Sequence, residues 1–434
     1  MDKMADVLGR AGAWCGQNKY LSAIKNAFQN FMPLTIAGAI GVLWCNVLVN
    51  DQTGLGLFFK PIMALDFLNP AFQAVNFCTI SCITVGITLG IAQEIGVWNM
   101  GAERAGYIPG LVGLAAWLSV TNTSHMVEGA KEAFTGIAGN ELGATGLFTG
   151  MIIGVLSVEL FCFFEKQDAL KIKMPEQVPP GVARAFEVLV PATITLIITA
   201  CIGSACYNLT GLYLNDVIKN GIQGPLGAVG ATIPGVMIIY LVIMLFWLVG
   251  IHGNNMLSAV KEALFTPLAL ENVEAFNKGE TPKNIINMYA LQMWGEFGGS
   301  GVTIGLVIAI MIFGKREDNK AIATLSLVPG LFNINETVTF GIPMVLNPIL
   351  GIPFVVAPLV TIIIGYVLTV IGFCPVACLT VPWTTPPIVF GFLATGANVM
   401  GAVTQAILIV VSTVIYTPFL ISYEKYQNKQ AAEA

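Results

Sequence analysis

The chain has 434 residues, of which 56% are hydrophobic and only 10% charged, with a net charge of −5. Soluble domains carry roughly 25% charged residues, so the composition excludes a water-soluble globular enzyme and points to a polytopic protein with membrane lipid as its surroundings. The few charges fall in short loops with no basic cluster, which argues against a nucleic-acid partner.

The apolar runs are continuous rather than alternating, so the spans are predicted to be helices and the fold class all-α. Residues 1–28 are mixed in charge and contain no compact cleavable signal. They predict a helix lying at the cytoplasmic surface, with Val7, Ala11, Trp14, Leu21, Ile24 and Phe28 as its apolar stripe. Apolar spans follow near 30–49, 71–93, 106–121, 142–164, 186–207, 232–251, 286–313, 352–373 and 398–421. Glu94 and Glu159, near span ends, read as interfacial, and His125 as an exposed loop residue. The nine cysteines lie mostly inside apolar runs, with no CxxC pair and no Cys/His ligand set, so inert thiols and no metal or other cofactor are expected.

The longest polar break, "EKQDALKIKMPEQVPPGVARAFE" (165–187), carries Lys166, Lys171, Lys173, Arg184 and a Pro-Pro pair. It predicts a cytoplasmic linker dividing a first membrane domain, 29–180, from a second, 181–421. "GKREDNK" (314–320) and "YEKYQNK" (423–429) in the tail 422–434 are also basic enough to lie inside, and with the basic N-terminus they place both termini in the cytoplasm.

The second half does not divide into plain spans. The spans ending near 251 and 313 both emerge on the cytoplasmic side, so the chain must return across the membrane between them. Residues 252–285 are too charged for an ordinary span, although 254–270 is mildly apolar, and a re-entrant passage resolves the count. A second irregularity is "AIATLSLVPGLF", interrupted by "NINE" and followed by a stretch broken at Pro343, Pro348 and Pro353. This predicts a helical hairpin with the Asn-Ile-Asn-Glu turn at its tip. Segment 374–397 is broken in the same manner around Trp383. Short apolar segments interrupted by Gly and Pro mark binding sites in transporters.

Four of these irregular places carry polar chemistry. "FWLVGIHGNN" supplies Trp247, His252, Gly253 and Asn254; "MWGEFGGSG" supplies Trp294, Glu296, Gly298, Gly299 and Ser300. "FNINE" supplies Asn333, Asn335 and Glu336, and "VPWTTPP" supplies Trp383, Thr384 and Thr385. Amides, carboxylates and imidazole hydrogen-bond hydroxyl groups, and indole faces cover the apolar face of a sugar ring, so the set suits a neutral carbohydrate. Glu336 is the lone Asp, Glu, Lys, Arg or His between Lys320 and Glu424, and intramembrane ionisable groups are functional by default. Each residue also has a structural reading. Glu336 would tie hairpin N–H groups, His252 would cap a helix, Glu296 would hold the Gly-rich turn, and Trp294 would sit in an interface belt. "GEFGGSG" lacks the Lys and the preceding strand of a phosphate loop.

The segments "VGIHGNN", "WGEFGGSGVTIGL" and "KREDNKAIATLSLVPGLFNINETVTFGIPMVLNPILGIPF" together resemble the membrane-embedded IIC component of bacterial phosphotransferase sugar transporters, in the lactose/cellobiose/diacetylchitobiose group. The resemblance runs from "KYLSAIKNAFQNFMPLTIAGAI" to the final span. It implies about ten transmembrane helices plus two re-entrant helical hairpins in a homodimer of the bacterial inner membrane, working as an elevator-type transporter. The first half would dimerise, and the second would carry a disaccharide, β-linked by preference, moving about a hinge near 165–187. The partners implied are a separate IIB protein bearing a phosphocysteine and, indirectly, a IIA protein.

Within that family the hairpin histidine and the NINE glutamate contact the sugar's 6-hydroxyl, which maps onto His252 and Glu336. Glu336 would be the general base for that hydroxyl or its orienting acceptor. Trp247, Gly253, Asn254, Glu296, Gly299, Ser300, Asn333, Asn335 and Trp383 complete the expected sugar contacts. The chain would be the membrane component of a phosphotransferase complex whose phosphoryl donor sits on the partner. A cation-coupled sugar symporter with Glu336 as proton carrier, and a non-transporting membrane receptor, are the competing readings.

Overall fold

The computed structural model describes residues 10, 14, 17–51, 55–125, 134–175, 177–225, 230–342, 344 and 347–433. Val7 and Ala11 of the expected N-terminal stripe lie outside them. Leu21, Ile24 and Phe28 belong to helix Lys19–Leu43, which runs on past residue 28 and through Pro33, so no break separates a surface helix from the first span.

The chain divides into two compact units. Gln17–Gly38 and Ala74–Ala228 build the first; Ala39–Gln73 and Val229–Ala434 belong to the second. The later division thus falls at 228/229, whereas the polar break suggested 180/181. The physical reason is the helix Pro180–Thr210, which packs into the first unit. A Cβ on its Gly203 would meet Val120 at 3.1 Å, and its Arg184 pairs with Glu165 at 2.8 Å.

In the first unit, helices Ile83–Met100, Ile108–Val120, Ala144–Glu165 and Pro180–Thr210 pack through small residues. A Cβ on Gly96 would lie 2.2 Å from Pro109, and one on Gly150 would lie 2.2 Å from Thr88. Lipid offers no hydrophobic drive between helices, so such close backbone approach supplies the packing energy. Buried hydroxyls are returned to the backbone, as in Thr195 to Pro191 O and Thr199 to Thr195 O, both 2.8 Å. One end of this unit gathers ion pairs: Lys19 with Glu159 at 2.5 Å, and Arg104 and Arg184 each with the buried Glu165 at 2.8 Å. Asn26 donates to Glu94 at 2.9 Å. Beyond the span ends, the short strands Ser124–His125 and Phe134–Thr135 pair antiparallel. His125 is held there by Asn122 O at 3.1 Å and is only half-buried.

The second unit is built on Ile233–Leu248, Met288–Gly295, Ile304–Phe313, Gly351–Val370 and Val399–Glu433. Trp247, Trp294, Tyr240, Phe297, Phe354 and Tyr416 fill its centre. Trp294 is therefore a core residue and not a belt residue: it is 1% exposed, and a Cβ on Gly365 would sit 2.4 Å from its ring. The expected re-entrant stretch after 252 forms helices Gly253–Met256 and Ser258–Asn277. Its return loop is fixed by amides. Asn272 donates to Asn284 O (2.8 Å) and Ala377 O (3.0 Å), and Asn287 donates to Asn284 O (2.8 Å) and Ala377 O (3.1 Å). The NINE hairpin consists of Glu317–Leu331, a turn, and Glu336–Gly341. Of the three prolines expected to break the stretch that follows, Pro343 lies outside the described residues and Pro353 sits in the first turn of helix Gly351–Val370. The final helix continues through the expected tail, where Glu424 accepts from Lys315 N (2.8 Å) and Asn319 Nδ2 (3.1 Å).

Among the described residues, five helices are long and apolar enough to cross a membrane, or seven if each of two bent helix pairs is one span; Ile108–Val120 and Ile233–Leu248 are apolar but shorter. Among the described residues all eight cysteines are free, and no group of three or more His, Cys, Asp or Glu is placed to hold a metal.

Candidate functional site

The irregular segments of the second unit converge. Helix Ile233–Leu248 ends in a turn through Gly250, which has φ +81°, and His252 caps the next short helix. The His252 Nδ1 accepts from Asn255 N–H at 3.2 Å. In the neutral ring the remaining proton is then on Nε2, because a nitrogen that accepts cannot also carry it. That Nε2 lies 3.9 Å from Glu336 Oε1, and the two side chains are 36% and 48% exposed. The gap is too long for a direct hydrogen bond, but one hydroxyl placed between them can accept from Nε2–H and donate to the carboxylate. His252 thus fulfils its capping role and keeps a free face.

Trp247 stands behind that imidazole, ring centroids 4.4 Å apart, and is 2% exposed. Its indole steadies the histidine and offers no open face to a ligand. Gly253 is also a packing position, since a Cβ there would lie 2.0 Å from Ile243 O.

The break "GEFGGSG" bends the chain by 60° between Met288–Val302 and Ile304–Phe313. Gly298, Gly299 and Gly301 all have positive φ, a region that side-chain-bearing residues rarely adopt. A Cβ on Gly299 would meet Asn335 Cβ at 2.7 Å. This turn receives both tip asparagines. Asn335 Nδ2 donates to Ser300 O at 2.7 Å, and Asn333 Oδ1 accepts from Gly298 N at 2.6 Å. Asn333 Nδ2 also donates to Trp383 O and to Thr385 O, the latter at 3.2 Å. One amide therefore joins three segments, from a backbone φ of +63° that asparagine tolerates. The two asparagines hold Glu336 and Trp383 in register and spend their hydrogen-bonding capacity on the backbone. Trp383 is 44% exposed.

Glu296 is placed differently from the expectation of a sugar ligand. Its Oε1 accepts from Tyr240 OH at 2.7 Å and from Lys261 Nζ, and its side chain is 17% exposed. Lys261 also donates to Asn254 Oδ1 at 3.1 Å, and Asn254 Nδ2 donates to Ser300 Oγ at 2.9 Å. Lys261 and Tyr240 were missed in the sequence. The available signal was spacing, for Lys261 follows Asn254 by two helical turns and so shares its face.

His252, Glu336, Asn254, Ser300 and Trp383 are thus brought together, while Trp247, Gly253, Glu296, Gly299, Asn333 and Asn335 support them. A helical membrane protein with broken helices, a half-exposed acid and a proton-bearing imidazole among apolar spans is a solute carrier for hydroxylated molecules. The comparisons narrow this class. Residues 25–358 match the family model described as phosphotransferase system, EIIC. The oligo-beta-mannoside-specific EIIC component of Bacillus subtilis (strain 168) is 33% identical, covering 98% of this chain and 94% of its own. The cellobiose-specific EIIC component of Lactococcus lactis subsp. lactis (strain IL1403) is 30% identical, over 98% of each. The crystal structure of the transporter ChbC, the IIC component from the N,N'-diacetylchitobiose-specific phosphotransferase system, superposes with a TM-score of 0.88 at 30% identity, over 97% of both chains. The chain belongs to the phosphotransferase system EIIC family: it is a sugar permease, a multi-pass protein of the bacterial plasma membrane.

Proposed function

We propose that this permease carries a β-linked disaccharide and presents its 6-hydroxyl between His252 and Glu336 for phosphorylation by a separate IIB protein. The supporting observation is the 3.9 Å gap between His252 Nε2 and Glu336 Oε1, with both side chains reachable from solvent. The names of its relatives, which specify oligo-beta-mannoside, cellobiose and N,N'-diacetylchitobiose, support the substrate class. In the reaction the sugar O6 attacks phosphorus, the S–P bond to the IIB cysteine breaks, and the thiolate leaves on IIB. The hydroxyl proton passes to Glu336, and the Nε2–H of His252 donates to the sugar oxygen. IIA recharges IIB.

The remaining architecture belongs to the same proposal: about ten spans with two re-entrant hairpins, a homodimer with both termini cytoplasmic, and a sugar-bearing unit that moves as a rigid body. The sugar-bearing unit is the one containing Val229–Ala434. The test uses purified protein with phosphorylated IIB and a panel of β- and α-linked disaccharides. Phosphorylation of a β-linked sugar is expected, with Glu336→Gln keeping binding and losing the product. Uptake in vesicles that followed a proton gradient and needed no IIB would overturn the proposal.

A further inference from the structure

We propose that Lys261 is a positioning residue for the ligand-facing amide of Asn254, and that Glu296 is its counter-charge and not a ligand for the sugar. The inference rests on the sugar site proposed above. Lys261 is 6% exposed, and an ammonium taken out of water is tolerated only when it is paired and its protons are satisfied. It meets Glu296 Oε1 and Asn254 Oδ1, and lies over the Tyr240 ring, 5.5 Å from its centroid. The Glu296 carboxylate is shared between Lys261 and the Tyr240 hydroxyl.

The consequence falls on Asn254. An ammonium can only donate, so the atom of the amide facing Lys261 must be the oxygen, and the flipped amide is excluded by repulsion between two donors. The NH2 group is thereby turned away from Lys261. One N–H goes to Ser300 Oγ at 2.9 Å; the other has no partner among the described residues and is available to an acceptor oxygen on the ligand. Asn254 lies two residues from His252, so this N–H belongs to the same turn as the imidazole that faces Glu336. Glu296 is neutralised by Lys261, whereas Glu336 has no ammonium or guanidinium in contact among the described residues.

The test is a set of dissociation constants for cellobiose and N,N′-diacetylchitobiose on the full-length protein in detergent. The variants are Lys261→Met/Glu296→Gln, Asn254→Ala, their triple combination, Lys261→Arg and Glu296→Gln. The double variant removes the Lys261 and Glu296 charges together and leaves Glu262 its hydrogen bond from Thr266, so it is expected to melt near wild type yet bind sugar at least tenfold more weakly. Asn254→Ala is expected to weaken binding by a similar factor, and the triple variant no further than the double, because one interaction is removed in each case. Glu296→Gln alone keeps an acceptor for Lys261 and Tyr240 but removes the counter-charge, so its melting temperature is expected to fall while the folded protein still binds sugar within threefold of wild type. A merely structural lysine would not produce that non-additivity. Should the double variant fail to fold, Lys261→Arg carries the same comparison with Asn254→Ala, keeping the charge while moving the donor. A folded double variant with wild-type affinity, or full additivity with Asn254→Ala, overturns the role of Lys261. A tenfold loss in Glu296→Gln with an unchanged melting temperature returns Glu296 to the sugar ligands. Wild-type protein that binds neither sugar overturns the sugar site itself, a result separable from the other two.

Discussion

Glu336 and Asn333 stand three residues apart and do different work. A glutamine at 336 would still accept a hydrogen bond but could not take a proton. Glu336→Gln is therefore expected to bind disaccharide within a few-fold of wild type while phosphoryl transfer from IIB falls by about 10²-fold or more, the usual span for loss of a general base; a single-turnover assay with phosphorylated IIB reads both. Asn333 makes its contribution through geometry. Asn333→Ala removes the bonds to Gly298 N, Trp383 O and Thr385 O and leaves at φ +63° a residue that tolerates the left-handed region less well than asparagine does. Its cost is about 2–4 kcal/mol, from ~1 kcal/mol per lost bond and the left-handed backbone. Asn333→Gly, which relieves the backbone part, should recover about 1 kcal/mol of this in denaturant or thermal unfolding. At this scale the sequence marked Asn333 and Asn335 as polar groups beside an acid. It did not reveal that their amides face backbone, because the partners of Asn333 lie 35, 50 and 52 positions away.

The elements that shape the site are those that depart from regular helix. The Gly-rich bend after Gly295 turns the chain by 60° and docks the NINE tip. Gly299→Ala puts a methyl 2.7 Å from Asn335 Cβ at φ +86°. It should cost more than about 2 kcal/mol, combining left-handed strain with overpacking, and it should weaken sugar binding along with the melting temperature. The segment 374–397 is held by Gln405, whose Oε1 accepts from Ile388 N (2.7 Å) and Gly391 N (2.8 Å). Gln405→Leu leaves both N–H groups without that acceptor, at a cost of about 1–3 kcal/mol each, and protease cleavage within 383–390 should report the loosened segment. Both irregular elements were legible as Gly- and Pro-broken apolar runs. The helical form of Ser258–Asn277 was not, because its charged positions disguised a helix whose buried face carries Lys261, Thr266 and Asn272.

For the whole molecule, sugar bound only by the native state must stabilise it. At 100-fold excess over the dissociation constant the gain is about 2.7 kcal/mol, so the preferred disaccharide should raise the melting temperature above that seen with non-binding sugars at equal concentration. In Glu336→Gln the rise should persist, since binding is kept. A β-linked sugar that is phosphorylated yet gives no shift at saturating concentration would contradict a preformed site. By itself the sequence determined the membrane setting, the places where the spans break, and the segments that carry polar chemistry. It could do so because lipid imposes a composition on whole segments, and a polar residue inside one stands out without reference to any partner. Only the tertiary structure decided where the units divide and which polar groups stay open to solvent. Pro180–Thr210 joins the first unit because its Gly203 and Arg184 find Val120 and Glu165 there, while Trp247, Glu296 and Asn333 brace the residues that meet solvent. Those roles depend on the direction of a single hydrogen bond or ring face between segments distant in the chain, and a linear pattern of residue types does not carry that direction.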